Sequence, residues 1–317
     1  MATGRTVTIP VFDFSGPLNA SETARLYQAA EEIGFFHARH PLFDEQRCNQ
    51  AIELAREFFT LPPAEKQELA IEKSAHFRGY SEMRNARDWR EQIHFGREEP
   101  AGAHPLSGPN LWPASPGWRA DLLRLIADFE TAGRDILNAM SAGLALSVNQ
   151  LLPLDEAPYV LLKLIHYLPP PDGQPRSGVA SHVDFSWITL LLQDDAGGLS
   201  ACTPEGRWQD IPPMPGTLIV NLGEILQFVT GARLKATPHR VMNRTRDRIS
   251  LPFFLNPGLD RWIAPAPLSR RGAYSAAPEA EHVHRVLPIS ADIPFQYGDA
   301  EWRRKGLGVW CRECVPA

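Results

Sequence analysis

Three side chains carry the most direct chemistry in this sequence. His182 and Asp184 lie in Ser181-His-Val-Asp-Phe-Ser-Trp-Ile-Thr-Leu-Leu-Leu192, and His239 lies in Thr237-Pro-His-Arg-Val241. The run 185–192 is rich in β-branched, aromatic and leucine residues and reads as a buried strand. Alternation along that strand puts His182 and Asp184, two residues apart, on one side. His239 sits just before another strand-like run. Two neutral imidazoles and one carboxylate on one face of a metal leave the opposite face open, the donor set of non-haem Fe(II) oxygen chemistry.

His-x-Asp alone is a weak signal, because short motifs recur by chance. His282 and His284 make the same point and read as surface residues. A third element strengthens the case. Arg248-Ile-Ser250 follows His239 within a hairpin's length and opens the apolar run 251–255. On a strand, Arg248 and Ser250 share a face, so a guanidinium fork and a hydroxyl converge on one point. A buried arginine needs an anionic partner, and Asp247 falls on the opposite face. A small dicarboxylate would supply that charge in a bidentate grip. The alternatives are a distant Asp or Glu partner, or snorkelling to solvent.

The elements that must position these groups change character along the chain. Residues 6–14 alternate as a short edge strand, Pro10 included. Residues 21–33 read as a helix with a Ser21 cap, ended by Gly34, and 35–38 as a strand. Residues 44–60 form a second amphipathic helix, and a short third one starts at Pro63. Residues 74–118 lack helical periodicity and read as a long irregular segment that shapes a binding site. A long helix is expected over 118–148. From Tyr159, strand-like runs recur at 160–167, 185–192, 199–201, 217–221, 240–242 and 249–255, with turn signals between them. Helices early and strands late predict an α+β chain whose sheet is the catalytic core.

Composition narrows the function classes. A hydrophobic content of 44% and a charged content of 22% over 317 residues are those of a soluble globular protein with a sizeable core. The net charge of -5 gives no reason to expect nucleic acid or an anionic membrane as partner. No apolar run approaches a membrane span, and the N-terminus lacks a signal peptide's apolar region, so a cytoplasmic protein is expected. Cys48 and Cys202 are isolated, and Cys311 and Cys314 form a single CxxC, half of a zinc site. Reduced thiols are expected.

His182-Val-Asp184, Pro238-His-Arg-Val241 and Arg248-Ile-Ser250 with the following Leu-Pro-Phe-Phe resemble the isopenicillin N synthase-like family of Fe(II)- and 2-oxoglutarate-dependent dioxygenases. Thr8-Ile-Pro-Val-Phe-Asp13, Gly34-Phe-Phe36, Gly108-Pro-Asn-Leu-Trp-Pro113 and Gly216-Thr-Leu-Ile-Val-Asn-Leu-Gly223 extend the resemblance over residues 6–265. It implies a double-stranded β-helix, or jelly roll, flanked by N-terminal and long central helices. Residues 1–118 would form an N-terminal helical and β segment packed on a core of 119–317. It implies that His182, Asp184 and His239 ligate Fe(II). It further implies that Arg248 and Ser250 hold the distal carboxylate of 2-oxoglutarate, with Tyr167 nearby in a segment that departs from the family by carrying Leu168. Asn221 is expected beside the ligands or the substrate.

The implied reaction consumes O2 and 2-oxoglutarate and hydroxylates a small molecule, or desaturates or cyclises it. Asp184 argues against halogenation, since halogenases of this chemistry lack that carboxylate. Two other readings stand beside it. One is a 2-oxoglutarate-independent oxidase of the isopenicillin N synthase type, against which the last glutamine, Gln296, lies far from the terminus. The other is a non-catalytic metal-binding jelly roll. For the substrate, the segment 74–118 offers Arg84, Arg87, Arg90, His94 and Phe95, with Trp187 facing away from the His182/Asp184 side.

Overall fold

The structure, a computed structural model, describes residues 8–144, 151, 153, 156–243, 246–266 and 293–306. The chain opens with β1 (Val11–Asp13), α1 (Ala20–Glu32), β2 (Phe35–Arg39), α2 (Glu45–Phe59) and α3 (Pro63–Glu68). The cap of α1 is Asn19 rather than Ser21. Asn19 Oδ1 accepts from the Glu22 amide at 2.9 Å, and the Glu22 carboxylate accepts from the Asn19 amide at 3.0 Å. Ser21 is two residues too late for this reciprocal box, whose glutamate stands three residues after the cap. Gly34, at φ +69°, ends the helix, a left-handed conformation that glycine adopts without a Cβ penalty.

Next come β3 (Gly79–Arg84), β4 (Trp89–Phe95) and the long α4 (Pro116–Gly143). The two strands correct the expectation of an irregular segment over 74–118; its longest irregular stretch is 96–115. The expected extension of α4 to residue 148 falls outside the described residues, as do His282, His284, Cys311 and Cys314. The remaining elements are β5 (Val160–Tyr167), β6 (Arg176–His182), β7 (Ile188–Gln193), β8 (Leu199–Cys202), β9 (Trp208–Asp210) and β10 (Leu218–Leu222). They are followed by α5 (Glu224–Val229), β11 (His239–Asn243), β12 (Arg248–Leu255), β13 (Trp262–Ile263), β14 (Phe295–Gln296) and α6 (Tyr297–Arg304).

An eight-stranded sheet runs β1-β2-β10-β7-β12-β5-β4-β3, and a four-stranded sheet runs β6-β11-β8-β9. All pairings but β1–β2 are antiparallel, the jelly-roll pattern of two facing sheets. The helices cover the outer face of the larger sheet. There Leu162, Leu164, Leu190, Ile249, Leu251 and Phe253 are buried, with Phe253 stacked on Phe129 of α4. Each such side chain contributes roughly 1.5–3 kcal/mol. A smaller cluster, including Ile165, Leu191, Ile219, Leu199 and Val241, fills part of the space between the sheets. With both faces of β5, β7 and β12 covered, these strands read as continuous apolar runs rather than alternating ones. The polar residues that interrupt the inner face therefore mark the site. Among the described residues, no helix is long and apolar enough to cross a membrane.

Candidate active site

His182 is the last residue of β6, and His239 is the first of β11, directly opposite it in register. Asp184 lies in the turn before β7, which starts only at Ile188. The expectation that one strand's pleat aligns His182 with Asp184 is thus corrected: a turn swings the carboxylate back over the strand end. Backbone bonds from residues 223–225 hold that turn. The Glu224 amide donates to Asp184 O at 2.8 Å and the Gly223 amide to Trp187 O at 3.0 Å. The approach is so close that a Cβ on residue 223 would collide with the Ser186 carbonyl.

Asp184 Oδ1 is 3.4 Å from His182 Nε2, and Oδ2 is 3.7 Å from His239 Nε2. One ligand atom from each of the three residues lies within 4.8 Å of the others. Each imidazole turns Nδ1 to a backbone carbonyl, Ala180 at 2.9 Å and Thr237 at 3.1 Å. A carbonyl only accepts, so Nδ1 carries the proton and Nε2 offers its lone pair to the cluster. Asp184 Oδ2 accepts from Thr189 Oγ1 at 2.6 Å and Asn221 Nδ2 at 2.8 Å, which aims Oδ1 at the centre. Burial alone would raise the Asp184 carboxyl; His239, His182 and the Thr189 hydroxyl outweigh it and hold it well below the usual range. Burial, reinforced by His182, pushes His239 down to about 4. At neutral pH the cluster is therefore an anion with a neutral His239 beside it, a donor set matched to a divalent cation.

Arg248 heads β12 and faces Tyr167 across the β5–β12 ladder. It is 3% exposed. Its Nη2 donates to Gln193 Oε1 at 2.7 Å, while Nε and Nη1 are buried with no partner among the described residues. Its guanidinium lies 4.6 Å from the Tyr167 ring centroid, and Ser250 Oγ is 3.5 Å from Tyr167 Oη. The sequence left open a distant acidic partner or snorkelling. The structure supplies neither among the described residues: Gln193 is neutral and Arg248 is buried. Unpaired buried donors of a full charge are costly, and Arg248 lines the same cavity as His182, Asp184 and His239.

That cavity is not the largest depression. A groove of about 1120 Å³ runs between α2 and α4, but it is open, lined by residues such as Glu45, Gln50 and Arg124, and contains none of the clustered ligands. Of the other residues expected to touch substrate, Asn221 lies on Asp184. Phe95 does not reach the cavity. It is fully buried on the helix side of β4, stacked with Trp112 at 5.1 Å and near Trp118. Arg84 also misses it, being ion-paired to Glu82 at 2.6 Å and laid over Trp89. Arg87 reaches only an outer chamber, described below. Trp187 is buried beside Arg261, away from the cavity lining. Sequence reasoning missed Thr189, Gln193, Gln92 and Lys163. Thr189, Gln193 and Lys163 were legible as polar residues interrupting apolar strands.

A sequence profile described as the N-terminal region of non-haem dioxygenases in morphine synthesis matches residues 9–115, and that of the 2OG-Fe(II) oxygenase superfamily matches 159–257. The chain is 33% identical over 278 residues to a bi-functional coumaroyl CoA and feruloyl CoA ortho-hydroxylase of Ipomoea batatas, covering 82% of this chain and 73% of that one. The chain belongs to the 2OG-Fe(II) oxygenase superfamily. It is 29% identical over 280 residues to a 2-oxoglutarate-Fe(II) type oxidoreductase of Emericella nidulans, covering 79% and 80%. Its fold matches that of a 2OG-Fe(II) oxygenase family protein from Caulobacter crescentus with a TM-score of 0.75 at 28% identity, covering 96% and 100%. It also matches the fold of a full-length Neurospora crassa protein in complex with alpha-KG and thymine, TM-score 0.76 at 22% identity, covering 95% and 97%. As a member of this superfamily the chain is an oxidoreductase dependent on Fe(II), 2-oxoglutarate and O2. Tyr167, His182, Asp184, His239, Arg248 and Ser250 all fall within the matched 159–257.

Proposed function

We propose that this oxygenase hydroxylates a small molecule, with Fe(II) held by His182, Asp184 and His239. Arg248 and Ser250 anchor the distal carboxylate of 2-oxoglutarate beside Tyr167. One observation carries the reading: two buried guanidinium nitrogens of Arg248 lack a partner among the described residues, and Arg248 lines the same cavity as the His-Asp-His cluster. A carboxylate can accept from these unpartnered donors in a charge-assisted contact.

The bound metal and 2-oxoglutarate supply the oxidising power, with 2-oxoglutarate converted to succinate and CO2 as O2 is consumed. The chain's part is positioning. Thr189 and Asn221 keep Asp184 oriented, the carbonyls of Ala180 and Thr237 fix the imidazole tautomers, and Gln193 holds Arg248 in place. Ile165, Leu191, Leu199 and Val241 line the cavity with apolar surface that excludes water. The test is succinate release from 2-oxoglutarate under air with Fe(II). Release that requires both, and that disappears in His239→Ala, supports the reading. Oxidation of a substrate without succinate would favour the 2-oxoglutarate-independent oxidase instead.

A further inference from the structure

A second, outer chamber of about 530 Å³ adjoins the metal and co-substrate cavity, within the size range of small-ligand sites. The two share Arg90, Lys163, Val179 and His182, so they meet beside one of the metal ligands. Lys163 stands at this junction in the middle of β5, between Leu162 and Leu164, both fully buried on the opposite face. By alternation it points to the same side as Ile165 and Tyr167.

The charges around the chamber are unevenly matched. Arg90 is ion-paired to Asp88 and donates to the Gly178 carbonyl at 2.6 Å, and Arg304 is ion-paired to Glu301 at 2.5 Å. Arg87 is exposed at the rim, and Glu224 lies on the wall. Lys163 is half-buried, with its Nζ 5.1 Å from the Phe254 ring centroid, and it has no hydrogen-bond or ion-pair partner among the described residues. A half-buried ammonium without an anion is an incomplete site. The distal carboxylate of 2-oxoglutarate does not complete it. Lys163 Nζ lies toward Phe254, six residues along β12 from Arg248, and so is directed away from that anchor.

We propose that Lys163 anchors a carboxylate of the primary substrate, seating it in the outer chamber with its oxidisable carbon toward the open side of the His182–Asp184–His239 cluster. The proposal rests on the reading of the inner site given above. One half-buried unpaired cation matches one carboxylate; Arg90 and Arg304 are already paired, and Arg87 is exposed at the rim. Burial, with Lys305 and Arg90 adding to it, pushes the Lys163 ammonium down to about 7, so an adjacent anion would restore the charge.

The experiment uses the full chain loaded with Mn(II) and saturated with 2-oxoglutarate, so that both inner anchors are filled. Paramagnetic relaxation by the metal then reports binding of 3-phenylpropionate and of its neutral amide, 3-phenylpropanamide, both small enough for the chamber. The expected result is relaxation of the carboxylate at least tenfold stronger than that of the amide. Lys163→Met should lower the carboxylate to the amide's level, and Lys163→Arg should retain the preference. Lys163→Gln replaces the methionine variant should that one not fold. Equal relaxation of the two probes, relaxation of neither, or a preference that survives in the methionine or glutamine variant overturns the proposal. Calorimetric titration of 2-oxoglutarate into the same samples separates the two readings. Failure of that ligand to bind sinks the inner-site assignment, whereas binding with no carboxylate preference sinks the Lys163 assignment alone.

Discussion

Arg248 and Tyr167 are direct partners across the β5–β12 ladder, the guanidinium 4.6 Å from the ring centroid. The ring covers one face of the fork, Gln193 takes one N–H, and Nε and Nη1 have no partner among the described residues. The planar group is thus oriented before any ligand arrives. Replacement by lysine removes the fork, leaving a point charge. Arg248→Lys should weaken 2-oxoglutarate binding roughly 30-fold or more, the loss of about 2–5 kcal/mol typical of a desolvated charged contact, with metal binding retained. Ser250→Ala should act in the same direction by about 1 kcal/mol. Calorimetric titration of the Mn(II)-loaded variants decides; an unchanged affinity in Arg248→Lys rejects the anchor.

The ligand set itself makes a sharper demand. Asp184→Ala and His239→Ala should each abolish stoichiometric Fe(II) binding under anaerobic conditions and reduce succinate release to background. Full activity in either variant contradicts the assignment. The variants should stay folded, since both residues sit at the edge of the cavity and not in the helix-packed core.

Thr189 and Asn221 both donate to Asp184 Oδ2. Groups that orient a metal ligand typically matter 10–100-fold in metal affinity or activity. Thr189→Val and Asn221→Ala should each weaken metal binding by about that factor. Their distinguishing sign is a loss in metal affinity with 2-oxoglutarate affinity intact once metal is saturating. An equal fall in both would point to general disruption.

On the far face of the large sheet, Glu91 accepts from Lys66 at 2.6 Å and Tyr80 at 2.7 Å and sits 2.8 Å from His166 Nδ1. Burial alone would raise its carboxyl, but His166, Lys66 and Tyr80 together hold it at about 2, below the ordinary 4.5. The unfolded state then binds the proton first. The stabilisation is fully present above about 4.5 and is lost as pH falls toward 2, on the order of 3 kcal/mol in all. Glu91→Gln should be less stable than wild type at pH 7, and that gap should narrow between pH 4.5 and 3. Denaturant midpoints across this range test it; a gap constant with pH rules out the linkage.

The proposed chemistry could be read from the sequence by itself, because metal ligation and carboxylate binding demand particular side chains. His182, Asp184, His239, Arg248 and Ser250 were legible for that reason, as were β5, β7 and β12, whose two covered faces leave long apolar runs. The tertiary structure decided how these parts meet. His182 and Asp184 are brought together by a turn tied to Gly223 and Glu224, a contact from distant sequence that no local pattern encodes. Strand β4 was hidden because Arg90, Glu91 and Gln92 place polar groups on both faces. Glu91 is tolerated only through Lys66 of α3, Tyr80 of β3 and His166 of β5. Once β4 is a strand, parity alone turns Arg90, Gln92 and His94 inward and Phe95 to the helices. Lys163 stands out in the sequence as one cation in an apolar strand. Only the packing around it, with the neighbouring arginines Arg90 and Arg304 already paired, leaves its charge facing the open chamber.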